Sequence, residues 1–267
     1  MSLTLPIYQL DAFAEAPFTG NPAAVVPLDA WLADEAMQSI ALENNLAETA
    51  FVAPTPDDPD HDFHIRWFTP TVEVRLCGHA TLATAAVLFE RTGFEGAAIR
   101  FKSKSGLLEV ERVEAGRYAL NFPAEPPRPA EPPPDLVDIL GGVQPTAFLK
   151  AVMNMAVLSD EAAVRAVSPD FRALAKVAGD GLIVTAPGDQ CHVASRYFAP
   201  HAGIDEDPVT GSAHCTVAPY WSQRLGESRL HCRQLSARGG DLTCTVEGDR
   251  VRIEGAVQWY LHGEISI

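Results

Sequence analysis

The sequence predicts an α+β protein of two pseudo-symmetric lobes, each a curved, mostly antiparallel sheet rolled around a buried central helix. A segment with seven prolines in thirteen residues, 123–135, separates two halves of similar length. Both halves contain the same order of strand-like and helix-like segments. Each half also contains an Arg-aromatic-Phe phrase with a Pro two residues later, at Arg66 and at Arg196. Self-similarity over such long stretches indicates a duplicated folding unit.

The proline-rich segment marks the boundary between the lobes. Proline lacks a backbone N–H and fits neither a helix interior nor an interior strand, so this segment predicts an extended surface connector. We therefore predict an N-terminal lobe over residues 1–123 and a C-terminal lobe over residues 124–267. Residues after Gln258 are expected to cross back to the first lobe.

The first half begins with alternating strand and helix signals and continues into a helix that is apolar on every face, which is typical of a buried helix. Apolar β-branched runs bounded by turn residues predict the strands. The predicted elements are a strand at 23–28, a helix at 29–44, a strand at 49–54, a buried helix at 78–93, and strands within 98–123 that turn at Ser105-Gly106 and Ala115-Gly116.

The second half repeats this order. Its buried helix is again built from small and apolar residues, and Pro219 limits its length. The predicted elements are a strand within 151–160, a helix at 161–177, a strand at 181–187, a buried helix at 211–221, and strands within 241–267 that turn at Gly248-Asp249 and His262-Gly263.

Charge and hydropathy exclude several function classes. The net charge of −15 argues against nucleic acid as a partner, because phosphate binding needs clustered Lys and Arg. No apolar run reaches the roughly 18 residues of a membrane span, so no membrane partner is expected. The first basic residue is Arg66, so the N-terminal region lacks the positive charge of a targeting peptide. We expect a cytoplasmic protein.

Cysteine and histidine spacing predicts neither disulfides nor a metal site. There are five cysteines, and no two of them form a CxxC pair. Three Cys–His neighbours occur, yet none of them has the second spaced pair that a structural zinc site needs. The cysteines are Cys77, Cys191, Cys215, Cys232 and Cys244.

The two copies of the repeated phrase lead to different reactive side chains. Eleven residues after the Arg, the first copy has Cys77 and the second has Asp207. Small residues follow each of them and open the two buried helices, namely Gly78 in the first half and Gly211 with Ser212 in the second. Helix N-termini favour anions, so these residues predict a carboxylate-binding site in a cleft shared by the lobes.

Several motifs resemble those of the phenazine-biosynthesis PhzF-like family, which is related in fold to diaminopimelate epimerase. They follow the family's order along nearly the whole chain. They are DAFAEAPFTGNPAAVV at 11–26, NNLAETAFV at 44–52, FTPTVEVRLCGHATLATA at 68–85, RYFAPHAGIDEDPVTGSAH at 196–214 and QLSARGGDLTCTVEGDRVRIEGAV at 234–257.

The resemblance implies a cofactor-free isomerase that moves a proton between carbons of a dihydro-hydroxyanthranilate ring, acting as a homodimer. It also implies that Glu48, in the LAET motif, is the acid/base. Two departures from the related patterns are visible. Ala47 stands where the family often has Ser, and Asp207 stands where the two-thiol epimerases have their second Cys.

Glu48 is a candidate acid/base independently of the resemblance. It directly precedes an apolar strand, and a partly buried carboxylate is suited to transfer a proton. His79, close to a helix N-terminus, is expected to stay neutral, since the dipole disfavours a positive charge there. We predict Glu48, His79 and Asp207 as catalytic residues, and Asn21, Cys77, Gly78, Gly211 and Ser212 as substrate-binding residues.

Cys77 leaves two interpretations open. A helix N-terminus lowers the pKa of a thiol and would make Cys77 a usable thiolate, whereas a buried Cys also serves as a small hydrophobe. A thiolate would fit an amino-acid racemase or epimerase. A third alternative is a catalytically silent binding protein that has kept the fold.

Overall fold

The computed structural model describes residues 3–267 and divides the chain into two compact units. Unit 1 comprises the residues up to Asn121 together with Glu254–Ile267, and unit 2 comprises Phe122–Ile253. We predicted the change of lobe at residue 123 and the return to the first lobe after Gln258. The chain returns to unit 1 at Glu254, within a long final strand.

Unit 1 alternates strands with two helices. Its last two strands in sequence extend across the unit boundary. The elements are β1 (Thr4–Ala12), β2 (Asn21–Pro27), α1 (Asp34–Asn44), β3 (Glu48–Pro54), β4 (Phe63–Phe68), β5 (Glu73–Val74), α2 (Gly78–Arg91), β6 (Ala98–Ser103), β7 (Gly106–Glu114), β8 (Arg117–Pro123) and, from the end of the chain, β17 (Arg250–Ser266).

The strands of unit 1 form a closed, mixed sheet. Each strand is hydrogen-bonded to the next in the order β1-β2-β3-β4-β6-β7-β8-β17. Strand β17 also pairs with β1, which closes the ring. The pairs β2–β3 and β4–β6 are parallel, whereas β1–β17, β1–β2, β3–β4, β6–β7 and β7–β8 are antiparallel. Alternating side chains along such strands place one apolar set on the inner face.

Helix α2 is buried on all its faces from Gly78 to Phe89 and contacts β1, β2, β3 and β7. Buried hydroxyls need partners, and those of Thr81 and Thr84 donate to backbone carbonyls four residues earlier in the chain, at 2.5 and 2.7 Å. Because both hydroxyls have hydrogen-bond partners within the helix, the two threonines can be buried among apolar residues.

Unit 2 also alternates strands with helices, and it has short additional elements. Antiparallel pairing again predominates, with two parallel pairs. The elements are β9 (Arg128–Pro129), α3 (Leu136–Ile139), β10 (Ala147–Lys150), β11 (Asn154–Val157), α4 (Glu161–Ala166), α5 (Phe171–Leu174), β12 (Leu182–Pro187), β13 (Val193–Ala199), a 3-10 turn (Pro200–Ala202), β14 (Ile204–Asp207), α6 (Gly211–Leu225), β15 (Arg229–Gln234) and β16 (Gly240–Glu247).

Strand pairing follows one scheme in the two units. In unit 1, β2 is parallel to β3, β3 is antiparallel to β4, and β4 is parallel to β6. In unit 2, β11 is parallel to β12, β12 is antiparallel to β13, and β13 is parallel to β15. The repeated Arg phrase lies on β4 and on β13, at corresponding positions of this scheme.

The repeated phrase builds the same local structure twice. Arg66 donates two hydrogen bonds of 2.8 Å to the carboxylate of Glu73, and Arg196 donates to Glu206 at 2.7 and 3.0 Å. Each guanidinium also lies over the ring of the Phe two residues later, at 5.2 and 4.9 Å. Fork-to-fork pairs of this kind fix orientation, so the phrase has a structural role in each unit.

Several local predictions were wrong. Pro219 does not end the second buried helix, because α6 runs from Gly211 to Leu225 with this proline inside it. Residues 161–177 do not form one helix, because α4 ends at Ala166 and α5 begins at Phe171. Pro169 explains the break, since a proline disfavours helical geometry in the residue before it. The predicted turn at His262-Gly263 lies inside β17, where these residues pair with β1.

The first helix is also shorter than predicted, since α1 begins at Asp34 rather than Asp29. None of the helices in the described part of the chain is long and apolar enough to cross a membrane.

Candidate active site

Five of the predicted site residues meet in unit 1. Glu48 is the first residue of β3 and pairs with Ala23 of β2, so its side chain shares a sheet face with the residues around the start of β2. It is 9% exposed. Asn45, which ends α1 in a left-handed conformation with φ of 50°, turns the chain towards this strand.

His79, the second residue of α2, contacts Glu48. Its Nε2 lies 3.2 Å from Oε2 of the Glu48 carboxylate, and the imidazole is 5% exposed. Gly78 precedes it as the first helical residue and is itself buried. The helix N-terminus therefore delivers an imidazole directly to a buried carboxylate.

Asn21 contacts the other nitrogen of the same ring. It is the first residue of β2, it is fully buried, and its Nδ2 lies 3.1 Å from Nδ1 of His79. An amide nitrogen only donates, so in this arrangement Nδ1 accepts and the proton of a neutral ring is on Nε2, facing Glu48. Asn21 thus lies in the polar cluster, in contact with a side chain predicted as catalytic.

Cys77 caps the N-terminus of α2, and its thiol lies beside His79. The sulfur is 3.6 Å from Nδ1 and 3.9 Å from Nε2 of the imidazole. Burial, reinforced by the negative charge of Glu48, raises the pKa of the thiol to about 11. Of the two interpretations that the sequence leaves open for Cys77, this shift favours the protonated, buried thiol, because desolvation outweighs the helix dipole.

The expectation that His79 stays neutral was also wrong. Burial lowers the pKa of the imidazole, but the negative charges of Cys77 and Glu48 outweigh it and raise the pKa well above the usual 6.5. The Cys77 thiol is uncharged near neutral pH, so Glu48 is the charge that acts on the ring there. Glu48 is far from this turn in the sequence, so the sequence analysis did not include its charge. That charge opposes the effect of the helix dipole on the imidazole.

Glu48, Cys77 and His79 also offer a carboxylate oxygen, a sulfur and a nitrogen within 4.8 Å of one another, a donor set that zinc accepts. The spacing of Cys and His along the sequence gave no sign of this group, because the three residues come from two separate segments.

The remaining predicted residues lie in unit 2. Asp207 ends β14 and is 9% exposed, and the hydroxyl of Thr210 donates to its carboxylate. Gly211 and Ser212 are the first two residues of α6, directly after Thr210. Asp207, Gly211 and Ser212 therefore lie close together, on either side of the short connection between β14 and α6.

Two residues of this second group escaped the sequence analysis. The side chain of Gln234, on β15, accepts a hydrogen bond from the backbone N–H of Thr210 at 2.9 Å and donates to the carbonyl of Asp207 at 2.7 Å. Gln234 thereby fixes the turn between β14 and α6. Its place at the start of the QLSARGG motif was the available signal.

Comparison with known proteins assigns the chain to a family. The family described as phenazine biosynthesis-like protein, PhzC-PhzF, matches residues 10–263. The chain is 50% identical over 266 residues to an uncharacterized isomerase of Pseudomonas aeruginosa, with 99% of this chain and 100% of that protein covered. This protein therefore belongs to the phenazine biosynthesis-like family.

Solved structures agree with this assignment. A phenazine biosynthesis protein of the PhzF family from Enterococcus faecalis has a TM-score of 0.94 at 43% identity, over 99% of this chain and 100% of that one. A hydroxyproline epimerase from Agrobacterium vitis, with bound trans-4-hydroxy-L-proline, has a TM-score of 0.66 at 10% identity, over 99% and 93%. The second likeness is one of fold alone.

Proposed function

We propose that this protein is a cofactor-independent isomerase that moves a proton on a small carboxylic acid of the dihydro-hydroxyanthranilate type, with Glu48 as acid and base. The observation that carries the proposal is the buried contact between Glu48 Oε2 and His79 Nε2, at 3.2 Å. A buried carboxylate beside a titratable imidazole is suited to general acid–base catalysis. The isomerase name of a relative at 50% identity supports the same class.

In the proposed reaction, the Glu48 carboxylate accepts a proton from a substrate carbon. The electron pair of that C–H bond moves into the conjugated system, and a double bond shifts. The protonated Glu48 then returns the proton to another carbon, so the product has the composition of the substrate and no redox partner is needed. His79, whose Nε2 lies 3.2 Å from Oε2, holds the carboxyl group in its orientation between the two steps.

The other site residues are proposed to bind substrate. Asp207 suits a substrate amino group, and it has a donor of its own in Thr210. The N-terminal residues of the two long buried helices, Gly78, Gly211 and Ser212, suit carboxylate oxygens through backbone and hydroxyl donors. These roles, like the homodimer, rest on the resemblance and on the surroundings of each residue.

We also propose that units 1 and 2 descend from one duplicated unit, each built around its long buried helix. The shared pairing scheme and the two Arg–Glu forks support this. Duplication would explain why Cys77 and Asp207 stand at equal distances after the repeated phrase.

A second candidate is an epimerase or racemase that uses Cys77. The fold likeness to a hydroxyproline epimerase and the 3.6 Å approach of the thiol to His79 favour it. A thiol with a pKa near 11 is mostly protonated at neutral pH, so this candidate ranks below Glu48. The third candidate is a binding protein that has kept the fold but has no catalytic activity.

The test is a screen for solvent deuterium incorporation. The protein is incubated in D2O with small amino and hydroxy acids, including dihydro-hydroxyanthranilate, and the products are separated on chiral and achiral columns. We expect a constitutional isomer, which carries deuterium to the extent that the carboxyl proton of Glu48 exchanges with solvent before it is returned. A stereoisomer instead would favour the epimerase, and no change in any compound would count against both. Glu161→Gln, which alters a buried carboxylate paired with Arg165 in unit 2, is the control that should keep activity.

A further inference from the structure

Asn21 and Asn154 are buried asparagines, one in each unit, and their side chains make different contacts. Each is the first residue of a strand that runs parallel to the next strand of its unit. Both are buried, at 0% and 3% exposure. Asn154 donates from Nδ2 to the backbone carbonyl of Ala178 at 2.9 Å, which is an ordinary structural bond.

Asn21 directs its amide to a side chain. Its Nδ2 lies 3.1 Å from Nδ1 of His79, whose other nitrogen faces Glu48 at 3.2 Å. The imidazole is therefore in contact at both nitrogens, with the Asn21 amide and the Cys77 thiol near Nδ1 and the Glu48 carboxylate near Nε2. Because Nδ2 can only donate, this arrangement requires a bare Nδ1 and places the proton of the neutral ring on Nε2.

From this chain of contacts we infer that Asn21 is a positioning residue, which fixes the ring orientation and the Nε2–H tautomer of His79 so that the imidazole donates to Glu48. The inference deepens the proposed isomerase and rests on it for the catalytic consequence. The tautomer itself is a property of the substrate-free protein. In the sequence analysis Asn21 was predicted to bind substrate, and positioning is a different role.

The same amide can also serve the charged ring. When His79 gains a second proton, Nδ1–H needs an acceptor, and half a turn of the Asn21 side chain presents Oδ1 in place of Nδ2. Aspartate lacks this choice, because an ionised carboxylate only accepts. Aspartate at residue 21 would therefore favour the doubly protonated ring, with a carboxylate on each side of it.

The experiment is nitrogen NMR on protein labelled with 15N-histidine. The His79 signals are identified by their loss in His79→Gln, and the ring is titrated upwards until it is neutral. We expect the neutral wild-type ring to show a protonated Nε2 and a bare Nδ1. In Asn21→Asp the ring should stay doubly protonated to a pH higher by about one unit or more, since a hydrogen bond to a charged group is worth that much.

Asn154→Asp makes the same change of charge at the corresponding strand of unit 2, and it should leave the His79 signals unchanged. A neutral wild-type ring protonated on Nδ1, or equal His79 titrations in Asn21→Asp and the wild type, would overturn the proposal. If Asn21→Asp does not fold, the wild-type spectrum alone decides. These spectra need no substrate, so their outcome stands even if the isomerase proposal fails.

Discussion

Oε2 of Glu48 lies 3.2 Å from Nε2 of His79, and both side chains are almost completely withdrawn from solvent. Removing one member of such a pair leaves the other buried without its partner, which costs more than the pair itself contributes. Each residue therefore constrains what can replace the other. The contact joins β3 to the N-terminus of α2, and it is the centre of the mechanism proposed for this protein.

The thiol of Cys77 should be dispensable for turnover. Its pKa of about 11 keeps it protonated at neutral pH, so Cys77→Ser should retain most of the deuterium incorporation seen with the wild type. Iodoacetamide should not inactivate the protein by way of Cys77. Of the five cysteines only Cys191 is not fully buried, so alkylation is measured in a Cys191→Ser background. Inactivation of that variant, prevented by Cys77→Ser, would favour the thiol epimerase.

Acid should destabilise the protein partly through His214. This residue is fully buried, its Nδ1 lies 2.8 Å from the carbonyl of Thr210, and burial lowers its pKa from 6.5 to about 4. Between these values the unfolded chain binds the proton and the folded chain does not. Stability should therefore fall as the pH drops from about 6.5 to 4, by about 3 kcal/mol from this residue.

The measurement is urea unfolding at several pH values for the wild type and His214→Asn, whose amide keeps an N–H donor for Thr210. The variant should be less stable at pH 7 but lose less stability on acidification. Identical pH slopes for the two proteins would contradict the assignment.

The two Arg–Glu forks should differ in their contribution to stability. Arg196 also donates to the carbonyls of Val164 and Val167, at 3.2 and 2.7 Å, whereas the additional partner of Arg66 is the exposed Asp34. Lysine cannot reproduce a fork. We expect Arg196→Lys to cost about 2 kcal/mol and Arg66→Lys less, measured by thermal and urea unfolding. The reverse order would show that the carbonyl contacts are weak.

Chelation should leave the activity unchanged. Glu48, Cys77 and His79 have donor atoms close enough to hold an ion, yet the proposed chemistry uses the carboxylate as a free base. Dialysis against EDTA, followed by assay in metal-free buffer, checks this, and added Zn2+ should inhibit by occupying the same atoms. Activity lost on dialysis and restored by a divalent metal would require a different mechanism.

Much of this fold follows from local sequence signals. The apolar faces of residues 78–93 predict a buried helix, and α2 is buried from Gly78 to Phe89. Hydrophobic periodicity indicates a strand but not its direction, so the parallel pairs within each mixed sheet had to come from the structure. The same limit applies at His262-Gly263, where a turn-like pair lies inside a strand because β1 pairs along the whole segment.

For the site, the sequence identified residue types but not their mutual effects. It predicted Glu48 and His79 separately, whereas the raised pKa of the imidazole depends on the carboxylate facing it. For Cys77 the sequence left a thiolate and a small hydrophobe open, and burial, which the sequence could not measure, favours the protonated thiol. Such energies depend on distances between side chains that are far apart in the chain.

The most direct test of the account compares the rate of solvent deuterium incorporation by Glu48→Gln with that by the wild type on the substrate found in the screen. The variant keeps the size of the side chain and a hydrogen-bonding oxygen for His79, and circular dichroism would confirm that it folds. The account predicts a loss of about 10²- to 10⁴-fold, the usual contribution of a general acid–base group. Incorporation by Glu48→Gln at the wild-type rate would contradict it.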